Sequence, residues 1–214
     1  MAKTGISKVK VTGGEPTVRR DLDFFLGHLS KIEGVSDISL TTNAYLLDKL
    51  ADRFRDAGLG RITVSLDSLR PDRFNRIVRR KIFDRVYGNI LALRGYPFAP
   101  VKINTVIIKG FNDDEIPDFI EFARDTGFTV RFIEFMPLDG DRSWSKERIV
   151  PLNDLIGRVS TEYGMENVRN FGPESPSTEY LLSNGARIAF IPTVSNPFCS
   201  SCGRVRITAT GHLR

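Results

Sequence analysis

The chain has 214 residues, 41% hydrophobic and 27% charged, with 31 Lys and Arg against 26 Asp and Glu for a formal net charge of +5. That is enough chain to bury a substantial core in one domain, or one domain with an appendage. No run of about 18 apolar residues occurs, which excludes a membrane-spanning helix; Met1 to Gly5 lacks the apolar stretch of a secretory signal, which points to the cytoplasm; and a basic excess this small and scattered suits an anionic small ligand better than nucleic acid.

Residues 7–12 read as a strand ending in a Gly13-Gly14-Glu15-Pro16 turn. Leu22, Phe25, Leu26 and Leu29 recur at helical spacing within 20–32, and residues 37–43 return to a strand. Residues 44–58 form a helix closed by Gly58. Strand 61–68, helical pieces 71–79 and 82–95, and strand 101–110 follow. Asn112 with Glu115 three positions on reads as a capped helix start for 113–127. Strand 129–136 comes next, and then the texture changes. A polar connector leads to Pro151, which opens a helix near 152–163. Two antiparallel strands, 179–184 and 186–193, precede a Cys199-x-x-Cys202 loop and a last strand at Arg204-Val205-Arg206-Ile207-Thr208. This order predicts an α/β fold with parallel strands and crossover helices over 1–136, and a C-terminal extension over 137–214.

Strands covered by helices on both faces should be almost wholly apolar. These are not. Period-2 geometry puts Lys8, Lys10 and Thr12 opposite Val9 and Val11, and Ser39 and Thr41 opposite Ile38 and Leu40. Thr63, Ser65 and Asp67 likewise oppose Ile62, Val64 and Leu66, and Lys102 and Asn104 oppose Val101 and Ile103. Arg131 lies on one face of its strand, and Arg204 and Arg206 share a face of theirs. The apolar faces must meet the helices, so the polar faces are expected to line the concave interior of a curved, barrel-like sheet and to hold an anionic ligand. The alternative is an open antiparallel sheet with one solvated face. The glycine turn would lie at the C-terminal strand end, where ligands dock in α/β folds. Glycines there let backbone approach a ligand, and Glu15 can pair with an ammonium; a plain strand-to-helix turn fits as well. Asp67 could serve the cavity or cap the next segment. Trp144 reads as a packing anchor, and Asp113 and Asp114 as first-turn helix acids. Two cysteines exclude a disulfide framework and suggest metal or redox chemistry, but are too few for a closed four-ligand site.

Six strings in order, from Lys8 to Leu22, Leu40 to Leu47, Ile62 to Leu69, Val101 to Ile116, Val130 to Asp141 and Asn196 to Gly211, resemble the molybdenum cofactor biosynthesis protein A family, the radical S-adenosylmethionine GTP 3′,8-cyclases. The resemblance implies an incomplete (β/α) TIM-type barrel, here lacking its first strand, with a C-terminal extension. It implies conversion of GTP to 3′,8-cyclo-7,8-dihydro-GTP, a lyase reaction and the first step toward the molybdopterin cofactor. By that resemblance Gly14, Glu15, Thr41 and Ser65 bind S-adenosylmethionine, and Lys8, Lys10, Lys102, Arg131, Arg204 and Arg206 bind GTP. Cys199 and Cys202 match two of three ligands of a substrate-side [4Fe–4S] cluster whose open iron site takes guanine. No catalytic residue is singled out.

The family's other cluster motif, C-x-x-x-C-x-x-C, does not occur in these residues. The polypeptide as written is therefore expected to be a piece of a longer protein and inactive as a cyclase on its own. Missing barrel strands would expose sheet edges and favour pairing of two copies. Competing readings are a non-catalytic remnant that binds GTP or S-adenosylmethionine, another radical S-adenosylmethionine enzyme, a nucleic-acid binder and a zinc site. The zinc site would need His28 or His212, and His28 is far away in sequence.

Overall fold

A computed structural model describes residues 5–137, 144–169, 177–196 and 203–213. The chain divides into two compact units, one of Met1–Leu66 with Phe74–Lys102, the other of Asp67–Arg73 with Ile103–Arg214.

In the first unit β1 (Lys8–Val11), β2 (Asp37–Thr42) and β3 (Arg61–Ser65) are successive parallel neighbours. The alternation fixes which way they face. Ile38 and Leu40 are buried between half-buried Ser39 and Thr41, and Ile62, Val64 and Leu66 are fully buried, as period-2 reading requires. α1 (Leu22–Leu29) presents Leu22 and Leu26 inward, and α2 (Leu47–Asp56) presents Leu47, Ala51 and Phe54. α1 is shorter than its apolar spacing suggests, and Phe25, expected inside, is exposed beneath the Arg19 guanidinium at 5.3 Å. α2 ends at Asp56 with Ala57 as its C-cap, and Gly58 takes φ +86° beyond it, where a Cβ would come within 2.9 Å of the Ser30 Cβ. α3 (Pro71–Val78) and α4 (Phe83–Ala92) follow, α4 with Phe83, Val86 and Ile90 buried.

In the second unit β5 (Thr129–Glu134) pairs in parallel with β8 (Arg187–Ile191). β8 pairs antiparallel with β7 (Thr178–Leu182), and β7 with β6 (Met165–Arg169). Phe119 of α5 (Ile116–Thr126), Phe132 and Phe190 form its core, with ring centroids 6.4 and 5.9 Å apart. α6 (Leu152–Tyr163) starts after Pro151, as the sequence predicts. With β4 (Lys102–Ile107) the strands take the order β1-β2-β3-β4-β5-β8-β7-β6, an open mixed sheet consistent with an incomplete α/β barrel.

Two expectations fail, and one strand arises that was not expected. Asn112 and Glu115 do not form a capping box. Asn112 Oδ1 accepts from the Ile108 N–H, and its Nδ2 donates to the Asp67 and Val106 carbonyls. Residues 204–208 form no strand; Ile207 makes only an isolated bridge to Leu213, and Arg204 and Arg206 are exposed. β6 was not expected, because Met165 to Val168 carry no apolar alternation to announce a strand.

Candidate functional site

The turn after β1 is built around one carboxylate. Gly13 needs its glycine for a φ of +152°, and above Gly13 and Gly14 a Cβ would meet nothing within 4 Å among the described residues. Glu15 Oε1 accepts from Thr17 N–H (3.0 Å), Thr17 Oγ1 (2.6 Å) and Thr42 Oγ1 (2.7 Å). Its Oε2 accepts from the Asn43 N–H at 2.7 Å. Glu15 thus locks the end of β1 to the end of β2, while Oε2 keeps acceptor capacity. The residues after β2 are fixed in turn. Asn43 Oδ1 accepts from Tyr45 N–H, and Asn89 Nδ2 donates to the carbonyl of Ala44, which sits at φ +62°. On β2 the Thr41 hydroxyl is buried and has no hydrogen-bond partner among the described residues. Ser65 is exposed at the end of β3; Lys8 and Lys10 are exposed on β1, and Lys102 is buried.

In the second unit Arg131 is 7% exposed, and its Nε donates to Asn104 Oδ1 at 2.8 Å. This joins the polar positions of β4 and β5 that alternation singled out. Asp67 is a half-buried carboxylate whose Oδ1 accepts from Val106 N–H at 2.9 Å; burial pushes it up to about 6 against that bond. It neither caps a helix nor pairs with a cation among the contacts described. Asp113 accepts from the Gly110 N–H, and Asp114 pairs with Arg73, whose hydrogen bond holds it below the usual carboxylate range. Trp144, half-buried, donates its Nε1 hydrogen to the Phe135 carbonyl at 3.0 Å.

Sequence reasoning missed one buried glutamate, Glu134, and gave another, Glu115, a different role. Glu115, fully buried, accepts from Ser68 Oγ (2.8 and 2.9 Å), Leu69 N–H (2.7 Å) and Arg73 Nη1 (3.0 Å). Glu134, also fully buried, accepts from Leu152 N–H, Ser195 Oγ, Val194 N–H and Ser195 N–H at 3.1, 2.5, 2.7 and 2.8 Å. Burial raises the Glu134 carboxyl, but these donors outweigh it and hold it below the ordinary glutamate value. An acid on the apolar face of its strand, in alternation with Val130 and Phe132, was the one signal for it. Cys199 and Cys202 lie outside the described residues. Among the described residues no group of three or more His, Cys, Asp or Glu could hold a metal ion, and no helix is long and apolar enough to cross a membrane.

Residues 1–123 match the family described as the Radical SAM superfamily, and residues 128–214 match Molybdenum Cofactor Synthesis C. The chain is 42% identical over all 214 residues to a GTP 3′,8-cyclase of Syntrophomonas wolfei and 42% identical to one of Moorella thermoacetica, spanning 66% of the length of each. A GTP 3′,8-cyclase of Aquifex aeolicus is 38% identical over 213 residues, 99% of this chain and 66% of that one. Among solved structures, TYW1 with a lysine-pyruvate adduct bound superimposes with a TM-score of 0.58 at 18% identity, over 77% of this chain and 53% of that one. Escherichia coli coproporphyrinogen III oxidase, a radical SAM enzyme, gives 0.52 at 17% identity, over 75% and 41%. These two likenesses speak for the fold alone. With more than half of its residues matched, the chain belongs to the radical SAM superfamily.

Proposed function

We propose that this chain carries the S-adenosylmethionine- and GTP-binding residues of a GTP 3′,8-cyclase of molybdenum cofactor biosynthesis. The observation that carries the reading is the Thr41 hydroxyl, buried on the polar face of β2 with no partner among the described residues. Such a group costs about 1–3 kcal/mol unless something bonds it, and a bound cofactor would. The open space over Gly13 and Gly14 and the spare capacity of Glu15 Oε2 fit the same ligand.

In this reading Gly14 and Glu15 hold the methionine end of S-adenosylmethionine, the carboxylate facing its ammonium, and Thr41 and Ser65 bond the remainder. Lys8, Lys10, Lys102, Arg131, Arg204 and Arg206 take the triphosphate through charge-assisted contacts. Asn104, by holding the Arg131 guanidinium, sets its orientation. Cys199 and Cys202 supply two sulfur ligands to a [4Fe–4S] cluster, and the remaining ligands of both family clusters come from outside these 214 residues. Bound clusters and S-adenosylmethionine would supply electron transfer and radical initiation; the chain's own residues bind, orient and exclude water. The barrel portion ends at residue 136 and the C-terminal extension begins at 137. The setting is the cytoplasm, the substrate a small molecule rather than nucleic acid, and two copies pair through free sheet edges.

Isothermal titration with S-adenosylmethionine and, separately, GTP tests this. Binding of both is expected, with Lys102→Ala or Arg131→Ala weakening GTP about tenfold or more and leaving S-adenosylmethionine unchanged. Equal loss of both ligands in either variant, or no binding by the parent chain, would sink the reading.

A further inference from the structure

Ala44 follows β2 by two residues and sits at φ +62°, fully buried. The left-handed region is unfavourable for any residue with a Cβ, so its surroundings must hold it there. Asn89 of α4 does so from outside the segment. Its Nδ2 donates to the Ala44 carbonyl at 2.9 Å and to the Tyr45 carbonyl at 3.3 Å. Two carbonyl acceptors require the amide nitrogen, not the oxygen, on that side. One turn earlier on α4, the Arg85 guanidinium carbon lies 4.2 Å from the centroid of the Tyr45 ring, and Arg85 bonds Asp48 at 2.9 Å. The Ala44 carbonyl also accepts from the Leu47 N–H, at the start of α2, at 3.2 Å. On the strand side of the turn, the Ala44 N–H donates to Thr42 Oγ1 at 3.2 Å, and that hydroxyl donates to Glu15 Oε1 at 2.7 Å. The Asn43 N–H donates to Glu15 Oε2 at 2.7 Å. All of these residues belong to the first unit.

We propose that Asn89 is a positioning residue for the Glu15 carboxylate: by bonding two carbonyls it keeps Ala44 left-handed, and so keeps the Asn43 N–H and the Thr42 hydroxyl on Glu15. α2 cannot follow a turn that relaxes, because Leu47, Ala51 and Phe54 are buried in the core. β2 is held by β1 and β3. A change of φ at Ala44 is therefore taken up at exposed Asn43, whose N–H then leaves Glu15 Oε2. A carboxylate that loses this donor can turn away from the ammonium of S-adenosylmethionine. That last step rests on the reading that Glu15 faces the ammonium.

Glycine enters the left-handed region at no steric cost, and this supplies the test. Amide hydrogen exchange at Asn43 in the ligand-free chain reads the positioning alone, and calorimetry with S-adenosylmethionine reads its consequence. Asn89→Ala is expected to speed exchange at Asn43 and to weaken S-adenosylmethionine binding, each about tenfold, the scale of the left-handed penalty once its restraint is gone. In a chain that also carries Ala44→Gly, the same Asn89→Ala change is expected to move either quantity by less than about twofold. Lost packing at Asn89 with no bearing on Ala44 would act equally in both backgrounds. Should Asn89→Ala fail to fold, Asn89→Asp keeps the shape, sets an oxygen against the two carbonyls and is expected to shift both quantities in the same direction. Unchanged exchange at Asn43, an equal effect with and without Ala44→Gly, or faster exchange at parental S-adenosylmethionine affinity would overturn the inference. No binding of S-adenosylmethionine by the parent chain would refute the reading of Glu15, and the exchange data would then decide the role of Asn89 by themselves.

Discussion

Glu15 in the first unit and Glu134 in the second solve one problem in different ways. Each ends a strand-derived segment, and each gathers donors from a neighbouring loop. Glu134 is fully buried, with two donors on each oxygen. Glu15 is half-buried, with three donors on one oxygen and one on the other, beside glycines at which a Cβ would meet no described atom within 4 Å. A saturated carboxylate can only hold its own chain together. An unsaturated one at an open turn holds its chain and still has an acceptor to offer.

The largest effect expected from this contrast is on stability. Glu134→Gln should cost about 3 kcal/mol, read as a fall in the urea midpoint, since buried N–H groups lose their acceptor. A cost no greater than that of Glu15→Gln would erase the contrast. Next comes affinity. Glu15→Gln should weaken S-adenosylmethionine binding about thirtyfold, close to 2 kcal/mol, through loss of a charged contact to the ammonium, while Glu134→Gln leaves the affinity of the folded fraction unchanged. Calorimetry on both variants separates the two.

A smaller effect follows from Asp67, a carboxylate with a single described donor. Its folded value of about 6 lies above that of an unfolded aspartate. Its contribution to stability is thus full below about pH 4 and lost as pH rises through about 6. Asp67→Asn should match the parent near pH 4 and be more stable at pH 7.5 by about 1–2 kcal/mol, an amount discounted for partial exposure. Thermal melts across that range would refute the assignment if the two curves stayed parallel. Smallest is Thr41→Val, which removes a buried hydroxyl with no described partner and should raise the stability of the ligand-free chain by about 1 kcal/mol. A loss of 2 kcal/mol or more would show that the hydroxyl is already bonded within the protein.

Period-2 alternation made much of the fold legible. Ile38, Leu40, Ile62 and Val64 are buried where that reading puts them, and Ser39 and Thr41 are not wholly so. The pairing of Arg131 with Asn104 was within reach, because both were singled out as polar positions of helix-covered strands. Glu115 and Glu134 were not legible as anchors. Their roles depend on N–H groups from residues up to 61 positions away, and sequence spacing carries no record of those. Asn112 misled for a related reason: its preference for helix starts lost to three backbone groups that its side chain could satisfy at once. The run at 204–208 alternates like a strand, yet alternation names only a face and supplies no partner strand.

Glu115 also bears on how the polypeptide can be cut. Residues 67–73 come early in the chain, yet they fold with the second unit, and Ser68, Leu69 and Arg73 are the groups that Glu115 binds. Scission near residue 102 would strip the C-terminal piece of a seven-residue splint and leave the buried Glu115 side chain without the groups it bonds. Split-protein reassembly or grafting of the C-terminal half onto another scaffold therefore has to carry that short early segment along as a transplanted insert.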